Sequence, residues 1–302
     1  MNKKFIYSSL IVCSVFISCE KKKDLLNTNV NKDTITEIIY TNDPDYVLSN
    51  KNAQELIEHL ENEQNALKEK LQKATRKEAE ALYLDYYKKL SVIVDSINTA
   101  EINTLKLYHE FKDHKPDSVL QKEEIYDKVN LYFRKIDSNH YDFRIKPGYY
   151  YNLFHNKVSP EYKEYMKLRY EEHKMAYEEQ VSNEKITLEK RRELIIKWEK
   201  FLTTYKNFKF IDYAKRSYTE NLTLYLFGSS TQPTFEITTK KLYVENEQEY
   251  ISFVKKNPQL ISAEITKAFL KHFYENDKNF TAEEFYVDLK GFTKKIIAEK
   301  VK

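Results

Sequence analysis

The chain has 302 residues, with 50 Lys and Arg against 47 Asp and Glu, and its net charge of +3 argues against a nucleic-acid partner, which calls for a strong basic excess on one face. Only 3 residues are glycine, against an average usage of about 7%. Tight hairpins, phosphate loops and dinucleotide folds depend on glycine, so a Rossmann domain, a P-loop and most β-barrels are disfavoured. Hydrophobic residues at 41% leave enough apolar content for a packed, mainly helical core.

Lys3 and Lys4 precede an apolar run of 13 residues, Phe5 to Ile17. A bilayer-crossing helix needs about 20 residues, whereas the core of a secretory signal needs about 7–15. Phe16-Ile17-Ser18-Cys19 resembles a bacterial lipobox. That resemblance implies a signal peptide over 1–18, cleavage before Cys19 and diacylation of its thiol. Cys13 then leaves with the signal, and removing Lys3 and Lys4 lowers the net charge from +3 to +1. Cys19 becomes the lone cysteine of the mature chain, and lipidation accounts for a thiol with no disulfide partner. A two-chain lipid is a durable anchor where a single acyl chain is not. Residues 19–50, with Lys21 to Lys23 and many Asn and Thr, are expected to be a flexible polar tether with one short extended stretch at 36–40. The charged run after Cys19 resembles the surface-export signals of Bacteroidota lipoproteins, although those favour acidic residues. The expected location is the cell envelope, at the outer membrane in a Gram-negative cell, with the periplasmic and surface sides both open.

From Lys51 to Lys115 there is neither glycine nor proline. Leu60, Leu67, Ala74 and Ala81 recur every seven residues, and Leu82, Tyr86, Leu90, Ile93 and Ile97 continue at helical spacing. Thr75-Arg76-Lys77-Glu78 has the form of a capping box, so the segment is one helix with a weak joint or two helices. Pro116-Asp117 opens a further helix to about Asp137, with Ile125, Val129, Tyr132 and Ile136 as its stripe. Residues 51–137 are thus a long-helix bundle region, and 138–302 a helical-hairpin region with a short β element. "HYDFRIKPGYYYNLF", from His140, alternates in part and carries Pro147-Gly148, which predicts a short β-hairpin. Ser159-Pro160-Glu161 predicts a helix with Ser159 as cap, running to about Gln180. Thr187 opens the next, with Leu194, Trp198, Phe201 and Tyr205 as its apolar stripe.

An internal repeat follows. At an offset of 52, Trp198 matches Tyr250, Phe201 matches Phe253, Leu202 matches Val254, Tyr205 matches Asn257 and Tyr218 matches Leu270. Each copy reads as helix, turn, helix, a pair of hairpins stacking their apolar faces. The pattern of Trp198, Phe201, Leu202, Tyr205, Ile211 and Ala214 resembles tetratricopeptide-like hairpins, with a period of 52 in place of about 34. The stretch from Tyr141 to Phe273, with "SPEYKEYMKLRY", "IIKWEKFLTTY" and "LYLFGSSTQPTF", resembles a family of Bacteroidota-type envelope lipoproteins. The resemblance implies a fold unit and a compartment and brings no activity. Gly228 ends a helix, a strand is expected at 234–239, and Thr281-Ala282-Glu283-Glu284 is a second capping box. Phe285, Leu289, Phe292 and Ile296 are expected as the core face of that last helix. Gly291 within it suggests close packing or a bend.

Candidate chemistry is sparse. The seven histidines form neither HExxH nor HxH, and His109 and His114 lie five apart, about 140° around a helix. No metal site and no cofactor are expected. GxSxG does not occur, so no catalytic residues are assigned and the chain is expected not to be an enzyme. The remaining signal is aromatic, with 25 tyrosines and 17 phenylalanines. Tyr149, Tyr150 and Tyr151 fall in the least helical segment, where three consecutive rings cannot all face one core. They are the candidate partner- or ligand-binding residues, since tyrosine is enriched at interfaces. The plainer reading is that they plug the junction between helical subdomains.

The expected fold is all-α, with TPR-like helical hairpins and a minor β-hairpin, preceded by the signal peptide and tether. The expected function is a non-catalytic protein-interaction or scaffold module, lipid-anchored through Cys19, with an envelope protein as partner. The alternative is a glycan- or small-ligand-binding lipoprotein using exposed tyrosines. A third reading is an enzyme with an unfamiliar site.

Overall fold

The computed structural model describes residues 51–108, 115–136, 140–182, 185–229, 232–275 and 280–301. The lipobox, Cys19, the tether and the stretch at 36–40 lie outside these residues, as do His109 and His114.

Helix α1 (Ala53–Lys73) is opened by Asn52, whose side chain accepts from Glu55 N while Glu55 accepts from Asn52 N. Ala74 and Thr75 end it, and Thr75 caps α2 (Arg76–Ala100) through the expected box with Glu78. The segment is therefore two helices. They fold back on each other, burying Leu60, Leu67 and Leu71 of α1 and Tyr86, Leu90, Ile93 and Ile97 of α2. The seven-residue repeat stops at the joint, where Ala81 is exposed. A short α3 (Ile102–Leu107) follows.

Helix α4 (Asp117–Lys128) stops well before Asp137. Asn130 turns the chain through a left-handed φ of 61°, and β1 (Leu131–Lys135) pairs antiparallel with β2 (Tyr141–Ile145). Tyr132 and Ile136, expected on a helical stripe, thus lie in or beside a strand, and Ile125 and Ile136 are exposed. The hairpin is real but shifted toward the N-terminus. Pro147-Gly148 does not make its turn but leads out of it, with Gly148 at φ 84° before α5 (Tyr149–Phe154). The boundary drawn at 137/138 falls between the two strands. A two-stranded ribbon exposes both backbone edges, a hazard that folds must manage. Here Asn98 of α2 accepts from Phe143 N at 2.7 Å and donates to Phe143 O at 3.3 Å. On the other edge Gln180 donates to Phe133 O at 2.7 Å. Gln180 belongs to α6 (Pro160–Ser182). The Ser159 hydroxyl expected to cap α6 is buried with no hydrogen-bond partner among the described residues, and Ser159 N instead donates to Glu80.

The remaining chain forms two helical hairpins packed on each other. Thr187 caps α7 (Leu188–Thr204), which turns at 205–210 into α8 (Ile211–Phe227). Helix α9 (Val244–Lys256) turns into α10 (Ile261–Glu275). The repeat of 52 holds through the first turns: Tyr205 N donates to Phe201 O, and Asn257 N to Phe253 O. It then breaks, because α8 and α10 begin 50 residues apart. Tyr218 is accordingly buried, whereas Leu270 is only partly so. Between the hairpins lie β3 (Phe235–Glu236) and β4 (Lys241–Leu242), a minimal antiparallel pair. Thr281 caps α11 (Ala282–Lys300) through its box with Glu284. Its most buried face is Phe285, Leu289, Thr293 and Ile297, one residue round from that expected at its C-terminal half. Gly291 is exposed, with open space where a Cβ would sit, so it marks no close packing.

Candidate functional site

Helical spacing sets the site. On α2, Tyr83, Tyr87, Ser91 and Asp95 are four residues apart and share a face; on α6, Tyr165, Arg169 and His173 do the same. Between these faces, bordered by the β1–β2 hairpin, by α5 and by the start of α8, is an open-mouthed cavity of about 400 Å³. That volume lies within the range of about 300–1,000 Å³ typical of ligand pockets.

Its wall is tyrosine-rich. Tyr83 sets its ring edge-on to Tyr150 (5.9 Å, 86°) and to Phe210 (6.2 Å, 80°). Tyr87 lies 5.4 Å from Tyr150, and Tyr165 packs nearly parallel to Phe210 at 6.0 Å. Tyr87 is the most exposed of these rings, at 38%. Tyr83 and Tyr165 are 7% and 6% exposed, and neither hydroxyl has a hydrogen-bond partner among the described residues. Burial pushes the phenols of Tyr83, Tyr150 and Tyr165 above their ordinary value, so they stand as protonated donors at neutral pH.

The charged part of the wall is anchored from behind. Arg169 Nη1 donates to Glu172 Oε2 (2.7 Å) and to Ser217 Oγ (2.8 Å), and Asn221 holds the other oxygen of Glu172 (2.7 Å). Arg134 forms a fork on Asp142, with Nε at 2.9 Å and Nη2 at 2.7 Å, and Arg144 Nε adds a third bond to that carboxylate. Asp95 has its pKa raised, by burial first and then by Asp142, with Arg144 opposing. His173 has its pKa lowered by the surrounding protein first and then by Arg169, Arg134 and Arg144. More than a third of its surface still opens onto the concave wall, which tempers the first cause.

Of the expected site residues, Tyr150 and Tyr151 line this cavity and Tyr149 does not. All three lie in α5, a helix rather than a strand or loop. Tyr149 is buried, its hydroxyl 2.6 Å from that of Tyr86, and its pKa is pushed up to about 12, by burial first. Tyr151 stacks with His155 (4.9 Å) and Tyr170 (5.9 Å). So Tyr149 does plug a junction, between α2 and α5, while Tyr150 and Tyr151, each partly buried, border the cavity. Tyr83, Tyr87, Tyr165 and Arg169 are not among the residues the sequence marks as candidates. The i,i+4 pairing of Tyr83 with Tyr87 and of Tyr165 with Arg169 was the signal available.

No cluster of His, Cys, Asp and Glu among the described residues could hold a metal ion, and no described helix is long and apolar enough to cross a membrane. No family model matches the chain, and neither does any curated protein or solved structure.

Proposed function

We propose that the protein binds a small ligand in this cavity. One observation carries the reading: Tyr83 and Tyr165 are more than nine-tenths buried, yet their hydroxyls bond to no described residue and open onto the cavity, where solvent reaches them. Water can serve both hydroxyls in the empty cavity, and a ligand that replaces that water can take up their hydrogen bonds. A fold that keeps two such hydroxyls beside an opening is built for something that arrives. A concave, tyrosine-lined cavity favours the small-ligand reading over the protein-interaction module, which calls for an extended groove.

The same proposal keeps the chain at an envelope membrane through acylated Cys19. Its support is the residue pattern from Lys3 to Cys19 alone.

The test is thermal melting of the full chain against a panel of sugars, organic acids and fatty acids, beside Ser91→Phe, which fills the cavity from α2. At least one class should raise the wild-type Tm and leave that of Ser91→Phe unchanged. No shift with any class, or equal shifts in both proteins, overturns the reading.

A further inference from the structure

Resting on that reading, we propose that the ligand is a small hydroxylated carboxylic acid, of the size and chemistry of a uronic-acid monosaccharide or disaccharide. Its carboxylate sits on the Nε–Nη2 edge of Arg169 and its hydroxyls on Tyr83 and Tyr165.

Arg169 argues for the acid. A guanidinium carries five donors in a planar fork, and its Nε–Nη2 edge matches the two oxygens of a carboxylate. Arg134 uses that same edge on Asp142 in the same wall. In Arg169 only Nη1 is engaged, by Glu172 and Ser217. The Nε–Nη2 edge has no partner among the described residues, and the bonds to Nη1 hold the fork in place beforehand. Glu172 balances the charge of Arg169 in the empty protein, so the site tolerates the cation without a ligand. The Coulombic neighbours that act on His173, one turn further along α6, are all cationic: Arg169, Arg134 and Arg144. Three arginines thus stand against the carboxylates of Glu172, Asp142 and Asp95, and the unengaged edge of Arg169 is the place for an anion.

The tyrosines argue for hydroxyls on the body of that acid. A hydrocarbon acid would cover the hydroxyls of Tyr83 and Tyr165 with methylene groups and leave them unmet. A compact hydroxylated frame satisfies both. The faces and edges of Tyr87, Tyr150 and Phe210 offer apolar surface to its C–H groups. Volume sets an upper limit, since about 400 Å³ is near the lower end for drug-sized ligands. One or two sugar units fill it.

Titration calorimetry on the full chain decides the matter with four probes: galacturonic acid, digalacturonic acid, galactose and decanoate. The acidic sugars are expected to bind at least about tenfold more tightly than galactose and than decanoate. Arg169→Gln should remove that margin over galactose. Because Arg169→Gln also disturbs Glu172, Tyr165→Phe serves as a second variant that leaves the ion pair intact; it should weaken the acidic sugars while leaving the melting curve in place. Equal binding of galactose, tighter binding of decanoate, or unchanged uronate affinity in Arg169→Gln overturns the inference and leaves the cavity reading standing. Failure of all four probes overturns the inference too, and the broader melting panel with Ser91→Phe then shows whether the cavity reading falls with it.

Discussion

The carboxylate of Glu199, in α7, caps the N-terminus of α10 at Ser262, accepting from Ser262 Oγ at 2.6 Å and Ser262 N at 3.0 Å. Its second oxygen takes Ile261 N at 2.6 Å, and Tyr218 adds a fourth donor at 3.1 Å. One buried side chain thus ties the first hairpin to the second and places negative charge at a helix N-terminus, where the backbone dipoles favour it. Glu199→Gln presents an amide N–H₂ to a backbone donor. It is expected to cost about 2–3 kcal/mol, since buried hydrogen bonds to charged groups are of that size. Thermal or urea unfolding measures the loss, and an unchanged midpoint would show that the cap is dispensable.

The two C-terminal glycines should respond in opposite directions. Gly228 has φ 74°, and a Cβ there would lie 2.0 Å from Gln232 O. Gly228→Ala therefore forces the backbone to move and should cost at least about 1–3 kcal/mol. Gly291 sits inside α11 with nothing within 4 Å of its missing Cβ. Gly291→Ala should stabilise by about 0.5–1 kcal/mol, raising Tm by about 1–4 °C. Melting both variants beside the wild type checks the pair.

His173 supplies a pH dependence with a defined sign. Its pKa in the folded chain lies below the unfolded value of 6.5. As pH falls through 6.5, the unfolded chain takes up a proton that the folded chain refuses, so stability is lost toward acid. Following the imidazole resonance by NMR should give a folded pKa under 6.5. His173→Gln should flatten this part of the stability profile. A titration at or above 6.5 would show that water entering the cavity outweighs the three arginines.

Membrane attachment is a separate expectation, carried by the N-terminal residues alone. Cys19→Ser should abolish palmitate labelling and release the chain from the membrane fraction. Acyl labelling that persists in the variant would place the anchor elsewhere or remove it from the account.

Local signals proved readable and convergent ones did not. The boxes at Thr75 and Glu78 and at Thr281 and Glu284 act within four residues, and both cap helices. The match of Trp198 with Tyr250 is likewise a local helix–turn pattern, and it fails only beyond the turn, where the shorter loop before α10 changes the register. Val129, Tyr132 and Ile136 satisfy a helical period by spacing while belonging to a turn and a strand. What decides between them is the left-handed Asn130 and the side-chain amides of Asn98 and Gln180, from helices far away in sequence. The cavity has the same character. Tyr150 and Tyr151 were visible because they stood outside a clear stripe. Tyr83 and Tyr165 sit on ordinary helix faces, and only packing shows that their hydroxyls are left facing a space.

Removing single tyrosine hydroxyls separates structure from ligand binding. Tyr149 and Tyr86 satisfy each other at 2.6 Å, both rings being buried. Tyr149→Phe strands the Tyr86 hydroxyl and should cost about 1–2 kcal/mol. In the double variant Tyr86→Phe/Tyr149→Phe neither hydroxyl remains, so its cost should fall short of the sum of the two single changes. Tyr83→Phe and Tyr165→Phe delete hydroxyls that the protein itself does not use, so the empty fold should change by no more than about 0.5 kcal/mol. Each should nevertheless weaken binding of the acidic sugar. Unfolding and titration on the same samples read both effects. If Tyr83→Phe and Tyr165→Phe destabilise the empty chain as much as Tyr149→Phe does, those hydroxyls have a structural partner and the ligand argument loses its footing. If they leave stability alone and lower affinity, the two hydroxyls serve a ligand with hydroxyls to match and not the fold.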